Sequence, residues 1–268
     1  MPSWFVGSET RTLTVRLGIE FDGTEFHGWQ IQPRDRTVQG EIEEALRRVT
    51  GAAVRIAGAG RTDSGCHAAG QVASATLSTR LTPDRLKAAL NAHLPRDVRI
   101  VEAAEAEPRF HARFQAMRRA YRYVIVSRPT ALWRHRAWER PIRADLDEIR
   151  RATRPLLGAH DFTAFSKQGG DETGTRCVVA RAAWSRRGLV TRFDIEADRF
   201  LYTMVRRIVA TVLRAAEQGE GAKMIRAALQ SGDRRAAAPP APAHGLTLMR
   251  VRYPRLGWLP KERLDVLG

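Results

Sequence analysis

Hydrophobic and polar residues alternate along the first stretch of the chain with the two-residue period of a half-buried strand. The odd-numbered residues from 13 to 21 are all apolar, so this stretch predicts a strand that ends at the Asp22-Gly23 turn. After a polar loop, apolar residues recur at helical spacing between Val38 and Val49, with Thr37 placed to cap a helix and Gly51 to end it. The pattern therefore changes from strand to helix across one loop.

Two further strands and a second helix complete the first half. Residues 54–56 predict one short strand and residues 73–77 another, with the loop 58–72 held between them. Residues 82–94 begin with a Thr-Pro start signal and predict a helix, and residues 98–101 begin another strand. The order strand, helix, strand, strand, helix, strand is that of the ferredoxin-like unit, which RRM domains share.

The same order repeats in the second half of the chain. A strand with Tyr121, Tyr123 and Ile125 on one face comes first, and a helix follows that Asp145 and Glu148 cap and Pro155 ends. Two strands then turn at 186–188, and an apolar helix runs from Leu201 to Val212. The remaining predicted elements are a short helix at 224–229, a flexible break at 236–245 and a last strand at 246–250. The prediction is an α+β fold of two ferredoxin-like halves, residues 10–110 and 111–255, whose sheets join around a central basic cleft. A C-terminal tail, residues 256–268, follows.

Charge indicates the class of partner. The chain has 268 residues, 43% of them hydrophobic, with a formal net charge of +16, and a surface this basic attracts phosphates. Only four of its 45 basic residues are lysines. Arginine suits bidentate phosphate contacts and base stacking, but a GC-rich genome also encodes arginine freely, so the net charge is the stronger argument for a polyanionic partner.

Cysteine content and hydropathy narrow the class further. Cys66 and Cys177 are the only cysteines, and no second Cys or His lies at metal-ligand spacing, so the sequence predicts neither a disulfide framework nor a metal site. No leader pattern begins the chain and no apolar run reaches the length of a membrane span. We expect a soluble cytoplasmic protein.

The segment 58–72, GAGRTDSGCHAAGQV, carries the candidate chemistry. It places one carboxylate, Asp63, between an arginine and a glycine at the join of two predicted strands, and we interpret Asp63 as the reactive group. Asp-Ser-Gly is also ordinary turn chemistry. Cys66, three residues later, is an alternative nucleophile, although a small residue packed at a strand start explains it more simply.

The loop 26–39 is a candidate for RNA contact. Trp29, Gln30 and Gln32 lie between arginines, and side chains of these types stack on nucleotides and form hydrogen bonds with them. His67 is grouped with them as an RNA-binding candidate. The other interpretation is that the loop only connects two elements.

Six segments of the chain have a distinctive sequence. They are IEFDGTEFHGWQIQP with TVQGEIEEAL, then AGRTDSGCHAAGQV, RRAYRYVIV, GAHDFTAFSK, FLYTMVRRIVATVL and HGLTLMRVRYP. By these segments the chain resembles the tRNA pseudouridine synthase A family over roughly Thr12 to Tyr253. The first two segments are highly specific in combination, and the other four fall in the family's order.

The resemblance implies the pseudouridine synthase fold and a set of roles. Asp63 would be the catalytic aspartate and nucleophile, Arg61 the arginine two places before it, Tyr121 the active-site tyrosine and Arg206 the basic partner of the aspartate. The family isomerises uridine to pseudouridine at positions 38–40 of the tRNA anticodon arm, uses no cofactor and acts as a homodimer. The chain departs from the family's usual pattern at four positions. Cys66 stands where valine is common and Phe21 where tyrosine is common, and Thr203 and Arg207 replace a usual histidine and asparagine.

The sequence leaves three questions open: the roles of Tyr121 and Arg206, the function of the protein, and the chemical route. Tyr121 could be an ordinary sheet tyrosine, and Arg206 a helix residue whose charge only reaches solvent. The protein could be a non-catalytic RNA-binding protein or RNA chaperone, or a pseudouridine synthase for another RNA. A carboxylate can assist the reaction by attacking C1' or by taking a ribose proton, and the sequence does not distinguish these routes.

Overall fold

The computed structural model describes residues 9–167 and 174–261, which form a mixed sheet with helices packed on it. The helices are α1 (Val38–Thr50), α2 (Pro83–His93), α3 (Leu146–Thr153), α4 (Met204–Glu217) and α5 (Gly221–Ser231). The strands are β1 (Arg11–Phe21), β2 (Ala57–Gly58), β3 (His67–Thr79), β4 (Val98–Ala106), β5 (Arg118–Val126), β6 (Trp138–Glu139), β7 (Gly158–Asp161), β8 (Arg176–Arg187), β9 (Val190–Ala197), β10 (Leu246–Tyr253) and β11 (Gly257–Leu259).

Strand β10 joins the two halves into one sheet. The strand order is β4-β1-β3-β10-β5-β9-β8-β7, with β2, β6 and β11 paired beside it. β10 is antiparallel to β5 and parallel to β3, where Thr247 pairs with His67 and Leu248 with Ala68. The β-α-β-β-α-β order occurs as β1-α1-β2-β3-α2-β4 and again as β5-α3-β8-β9-α4-β10. The predicted α+β class with two ferredoxin-like units and joined sheets is confirmed.

Helix boundaries follow the capping residues that the sequence indicates. The Thr37 side chain accepts a hydrogen bond from the backbone N–H of Gly40, and Gly51 ends α1 in the left-handed region at a φ of 75°. Asp145 and Glu148 form the predicted capping box of α3. These signals depend on a few neighbouring residues and not on tertiary packing, so the sequence alone locates them.

The predicted strand at 54–56 is wrong. Val54 and Ile56 are buried, but they lie in an irregular segment, and the backbone N–H of Ile56 donates to Glu43 Oε1 instead of to a neighbouring strand. The paired residues are those of β2, one position further along. β3 begins at His67, so the loop between these strands is also shorter than the predicted 58–72.

The segment 236–245, predicted to be a flexible break, is packed against α4. Ala237, Ala238 and Ala241 are buried. Arg214 Nη2 donates to the Ala236 carbonyl at 2.7 Å, and Arg206 and Arg207 of α4 donate to carbonyls of the same segment. Alanine and proline marked a loop in the sequence, but their small side chains also let the backbone approach a helix closely.

The division at residues 110 and 111 stays a prediction, because one sheet runs through both halves. Residues 257–259, within the expected C-terminal tail, form β11 and pair with β10.

Among the residues that the structure describes, none of the helices is long and apolar enough to span a bilayer.

Candidate active site

Asp63 lies on a tight turn between β2 and β3. The Cys66 N–H donates to the Asp63 carbonyl at 3.1 Å, and Gly65 adopts a φ of 77°, which favours glycine. From the β1–α1 loop, the Phe26 carbonyl accepts hydrogen bonds from the Gly65 N–H and from Ser64 Oγ, both at 3.2 Å. The turn is therefore fixed both by its own backbone and by a neighbouring loop.

The segment that leads into the turn is held by β3. Gln71 is fully buried, and its Nε2 donates to the Gly60 carbonyl at 2.7 Å. The Ala59 N–H donates to the Val72 carbonyl at the same distance. The sequence analysis assigns Gln71 no role. The available signal is a glutamine among the small and apolar residues 68–73.

Arg206 pairs with Asp63 across the junction of the two halves. Arg206 Nη1 donates to Asp63 Oδ2 at 2.7 Å, and both side chains are 16% exposed. Arg206 Nε donates to the Ala241 carbonyl at 2.7 Å, so the packed segment 236–245 orients the guanidinium. Within the described ranges, Asp63 Oδ1 has no hydrogen-bond partner. One oxygen of a tethered carboxylate is thus left for a ligand.

The backbone before Arg206 adopts an uncommon conformation. α4 begins at Met204, three residues later than predicted, because Thr203 takes a left-handed φ of 64° that a helix cannot continue. The Thr203 hydroxyl is buried and has no partner within residues 9–167 and 174–261. Arg206 then lies in the first turn, at the positive end of the helix dipole, where the Asp63 carboxylate offsets an unfavourable charge.

Tyr121 places an aromatic ring beside the same loop. It lies in β5, pairs with Leu248 of β10 and is 7% exposed. Its ring meets Phe200 edge to face at 5.0 Å, and its hydroxyl is 3.9 Å from where a Cβ on Gly60 would lie. Burial raises the pKa of the Tyr121 hydroxyl well above its usual range, so the phenol stays protonated at neutral pH.

Arg61 provides an exposed cation beside these groups. Its side chain makes no hydrogen bond or ion pair with the described residues, and it lies two positions before Asp63. The structure therefore brings Asp63, Arg206 and Tyr121 together, with Arg61 on the surface nearby. In the same described ranges, no group of three His, Cys, Asp or Glu side chains is placed to hold a metal ion.

Two of the four RNA-contact candidates are core residues. Trp29 is 2% exposed, and a Cβ on Gly58 would lie 2.5 Å from its ring, so that glycine makes room for the indole. His67 is equally buried, with Nδ1 accepting from the Gly23 N–H and Nε2 against the His135 carbonyl at 2.7 Å. Protein atoms enclose both rings, so their burial favours a packing role over contact with RNA.

The two glutamines are closer to the surface. Gln30 is half-buried and donates to Gln39, whereas Gln32 is exposed and donates to the His27 carbonyl at 2.8 Å. Gln32 is thus the candidate in this loop that can reach a ligand without rearrangement of the core.

The burial of Cys66 favours a packing role over that of an alternative nucleophile. Its side chain is 2% exposed. Burial raises the pKa of the Cys66 thiol well above its usual range, and the negative charge of Asp63 raises it further.

We expect Cys66→Ala to keep turnover within about threefold while lowering the free energy of unfolding by roughly 1 kcal/mol, the cost of a small cavity. Steady-state turnover and urea unfolding test this, and loss of turnover in a folded variant would contradict it.

Known proteins resemble this chain over most of its length. A family model described as tRNA pseudouridine synthase matches residues 18–115 and 152–254. The tRNA pseudouridine synthase A of Chlorobaculum tepidum is 44% identical over 90% of this chain and 98% of its own length. Those of Acetivibrio thermocellus and Sinorhizobium medicae are 40% and 42% identical, each over 89% of this chain and 99% and 98% of their own lengths.

The family model matches segments of both halves of the sheet, including those that carry Asp63 and Arg206, whereas Tyr121 lies between its two matched ranges. The share of each relative that is covered shows that the likeness extends over nearly the whole of those proteins. The chain belongs to the tRNA pseudouridine synthase family.

Proposed function

We propose that this protein isomerises uridine to pseudouridine at positions 38–40 of the tRNA anticodon stem-loop, with Asp63 as the reactive carboxylate. The observation that carries the proposal is the 2.7 Å ion pair between Asp63 and Arg206, which leaves one carboxylate oxygen unbonded among the described residues. Membership of the family supports the reaction class. The resemblance of the six sequence segments supports the position in the tRNA.

The reaction needs no group from outside the substrate. The C1'–N1 bond breaks with its electron pair leaving on N1, the uracil turns, and C5 bonds to C1' using the C5–C6 π electrons. Loss of the C5 proton restores the C5–C6 double bond, and N1 takes up a proton. Atoms and electrons therefore balance, as an isomerisation requires. A carboxylate promotes the first step by stabilising or trapping the electron-poor sugar centre, or by removing a ribose proton.

The neighbouring side chains have separate roles in this proposal. Arg206 orients the Asp63 carboxylate through their ion pair, because its own guanidinium is fixed by the Ala241 carbonyl. Tyr121 offers a buried ring and a neutral phenol near the uracil. Arg61, exposed and without a partner among the described residues, is available to a backbone phosphate.

Release of tritium from C5 of labelled uridine tests the proposal. Three substrates separate the alternatives: a tRNA transcript with uridine at positions 38–40, the same transcript with cytidine there, and an unrelated structured RNA. We expect release from the first alone. Equal release from the unrelated RNA would indicate another substrate, and binding of the first transcript without release would indicate an RNA-binding protein without catalysis.

The binding of tRNA should be largely electrostatic, because the chain has a net charge of +16. If about six phosphates are neutralised, the logarithm of affinity should fall against the logarithm of salt concentration with a slope of roughly four to five. Gel-shift titrations between low and moderate salt measure this slope. An affinity that hardly changes with salt would contradict the expectation.

The family resemblance also supports a homodimer in which one tRNA contacts both subunits, and a cytoplasmic setting in which tRNA is the substrate. Light scattering at micromolar concentration should then report twice the chain mass of 30.0 kDa. A fully active monomer would overturn the dimer.

A further inference from the structure

Arg119, at the start of β5, uses every N–H of its guanidinium. Nε and Nη2 donate to the Ala59 carbonyl at 3.3 and 2.7 Å. Nη1 donates to the carbonyls of Ala116 and Asp198 at 3.0 and 2.8 Å, and Nη2 also donates to that of Arg113 at 3.0 Å. An arginine has five N–H donors, and all five are bonded here.

These carbonyls belong to three segments that are far apart in the sequence. Ala59 is four residues before Asp63, in the stem of the reactive loop. Arg113 and Ala116 lie in the connection between β4 and β5, where the first half of the sheet passes to the second. Asp198 directly follows β9. A single side chain therefore fixes the reactive loop to the connection between the halves and to the second half.

Only arginine fits this position. Its planar fork reaches several carbonyls at once, whereas lysine has three donors at a single point. Burial lowers the pKa of the Arg119 guanidinium below its usual range, which agrees with a cation withdrawn from water. None of its hydrogen bonds with the described residues goes to a carboxylate, so its side chain holds backbone alone.

We infer that Arg119 is a positioning residue for the isomerisation, because its guanidinium holds Asp63 in register with Tyr121. Arg119 and Tyr121 are two residues apart in β5 and so lie on one face of the strand. The hydrogen bonds to Ala59 fix the loop relative to that face. This inference rests on the proposed role of Asp63.

The test measures single-turnover tritium release and tRNA affinity separately. Arg119→Met keeps a long side chain without donors, and we expect turnover to fall by about tenfold to a hundredfold because the carboxylate is displaced. The dissociation constant should change by less than about threefold, since the guanidinium is saturated by carbonyls and not by phosphate. Arg119→Lys should lose less than Arg119→Met. Amide exchange should rise over residues 59–66 and 113–117 together.

Arg122→Met is the matched control. Arg122 lies on the opposite face of the same strand and pairs with Asp194 at 2.8 Å, so this variant removes a guanidinium without touching the loop stem. We expect its turnover to stay within about threefold. Circular dichroism shows which variants fold, and if Arg119→Met does not fold, Arg119→Lys decides by the same criteria.

Three results would overturn the inference: a folded Arg119 variant with turnover within about threefold of the unchanged protein, affinity lost in proportion to turnover, or an equal loss in Arg122→Met. Asp63→Asn in the same assay separates the two proposals. If Asp63→Asn remains active, the proposed function fails whatever Arg119 does. If Asp63→Asn is inactive and folded Arg119→Met is not impaired, only the inference fails.

Discussion

Asp63→Asn should abolish isomerisation and leave tRNA binding intact. Asparagine has nearly the same size and turn-forming ability, so the Asp63 to Cys66 turn should still form. The variant has no negative charge with which to assist cleavage of the C1'–N1 bond. We expect single-turnover tritium release to fall by about a thousandfold or more, which corresponds to at least roughly 4 kcal/mol in the activation free energy.

Affinity should stay equal or become tighter in this variant. The Arg206 guanidinium loses its carboxylate partner, and an unpaired cation in the cleft attracts RNA phosphates more strongly. Gel-shift titration with a tRNA transcript measures this. Asp194→Asn is the control, because Asp194 is a carboxylate that pairs with Arg122 at 2.8 Å and does not contact the Asp63 turn. Release within about tenfold of the unchanged protein by Asp63→Asn would mean that another group is reactive.

Arg206→Ala should have the second largest effect, a loss of about a hundredfold in turnover. The variant leaves Asp63, which is 16% exposed, without its partner, and it removes the hydrogen bond that ties this site to the Ala241 carbonyl. The turnover of Arg206→Lys should lie between that of Arg206→Ala and that of the unchanged protein. Lysine keeps the positive charge but has no Nε donor for the Ala241 carbonyl. Single-turnover tritium release by the three proteins gives the order.

Arg214→Ala separates loss of the ion pair from loosening of the segment 236–245. Arg214 also belongs to α4 and donates to the Ala236 carbonyl at 2.7 Å, but it does not touch Asp63. We expect turnover within about fivefold in this variant. A loss equal to that of Arg206→Ala would show that support of the segment matters and that the ion pair does not.

The parts of the fold that the sequence predicts depend on local signals. Capping residues located α1 and α3, and alternation located β1, because each signal lies within a few residues of the element that it defines. The strand at 54–56 failed because apolar alternation reports burial, and Val54 and Ile56 are buried without pairing.

The site was predictable in part. The turn chemistry around Asp63 marked the loop, but its partner Arg206 is 143 residues away, and no spacing rule connects them. Only the family resemblance brought the two together. Arg119 could not be predicted for the same reason. The three segments that it binds are far apart in the sequence and come together only in the folded protein.

Exposure was the other property that sequence could not supply. Trp29 and His67 have side chains that suit RNA, and both lie in segments that the sequence predicts to be loops. Each is 2% exposed, because Gly58 makes room for the indole, and backbone groups take up both imidazole nitrogens. Suitable chemistry in a loop therefore predicts contact with a ligand only where the side chain also reaches the surface.

Mapping of pseudouridine in a tRNA transcript tests the central claim most directly. The transcript has uridine at positions 38, 39 and 40, and it is treated with the unchanged protein or with Asp63→Asn, labelled with carbodiimide and read by primer extension. The account predicts reverse-transcriptase stops at one or more of these three positions with the unchanged protein and none with Asp63→Asn. Stops only elsewhere in the tRNA, or the same stops with Asp63→Asn, would contradict it.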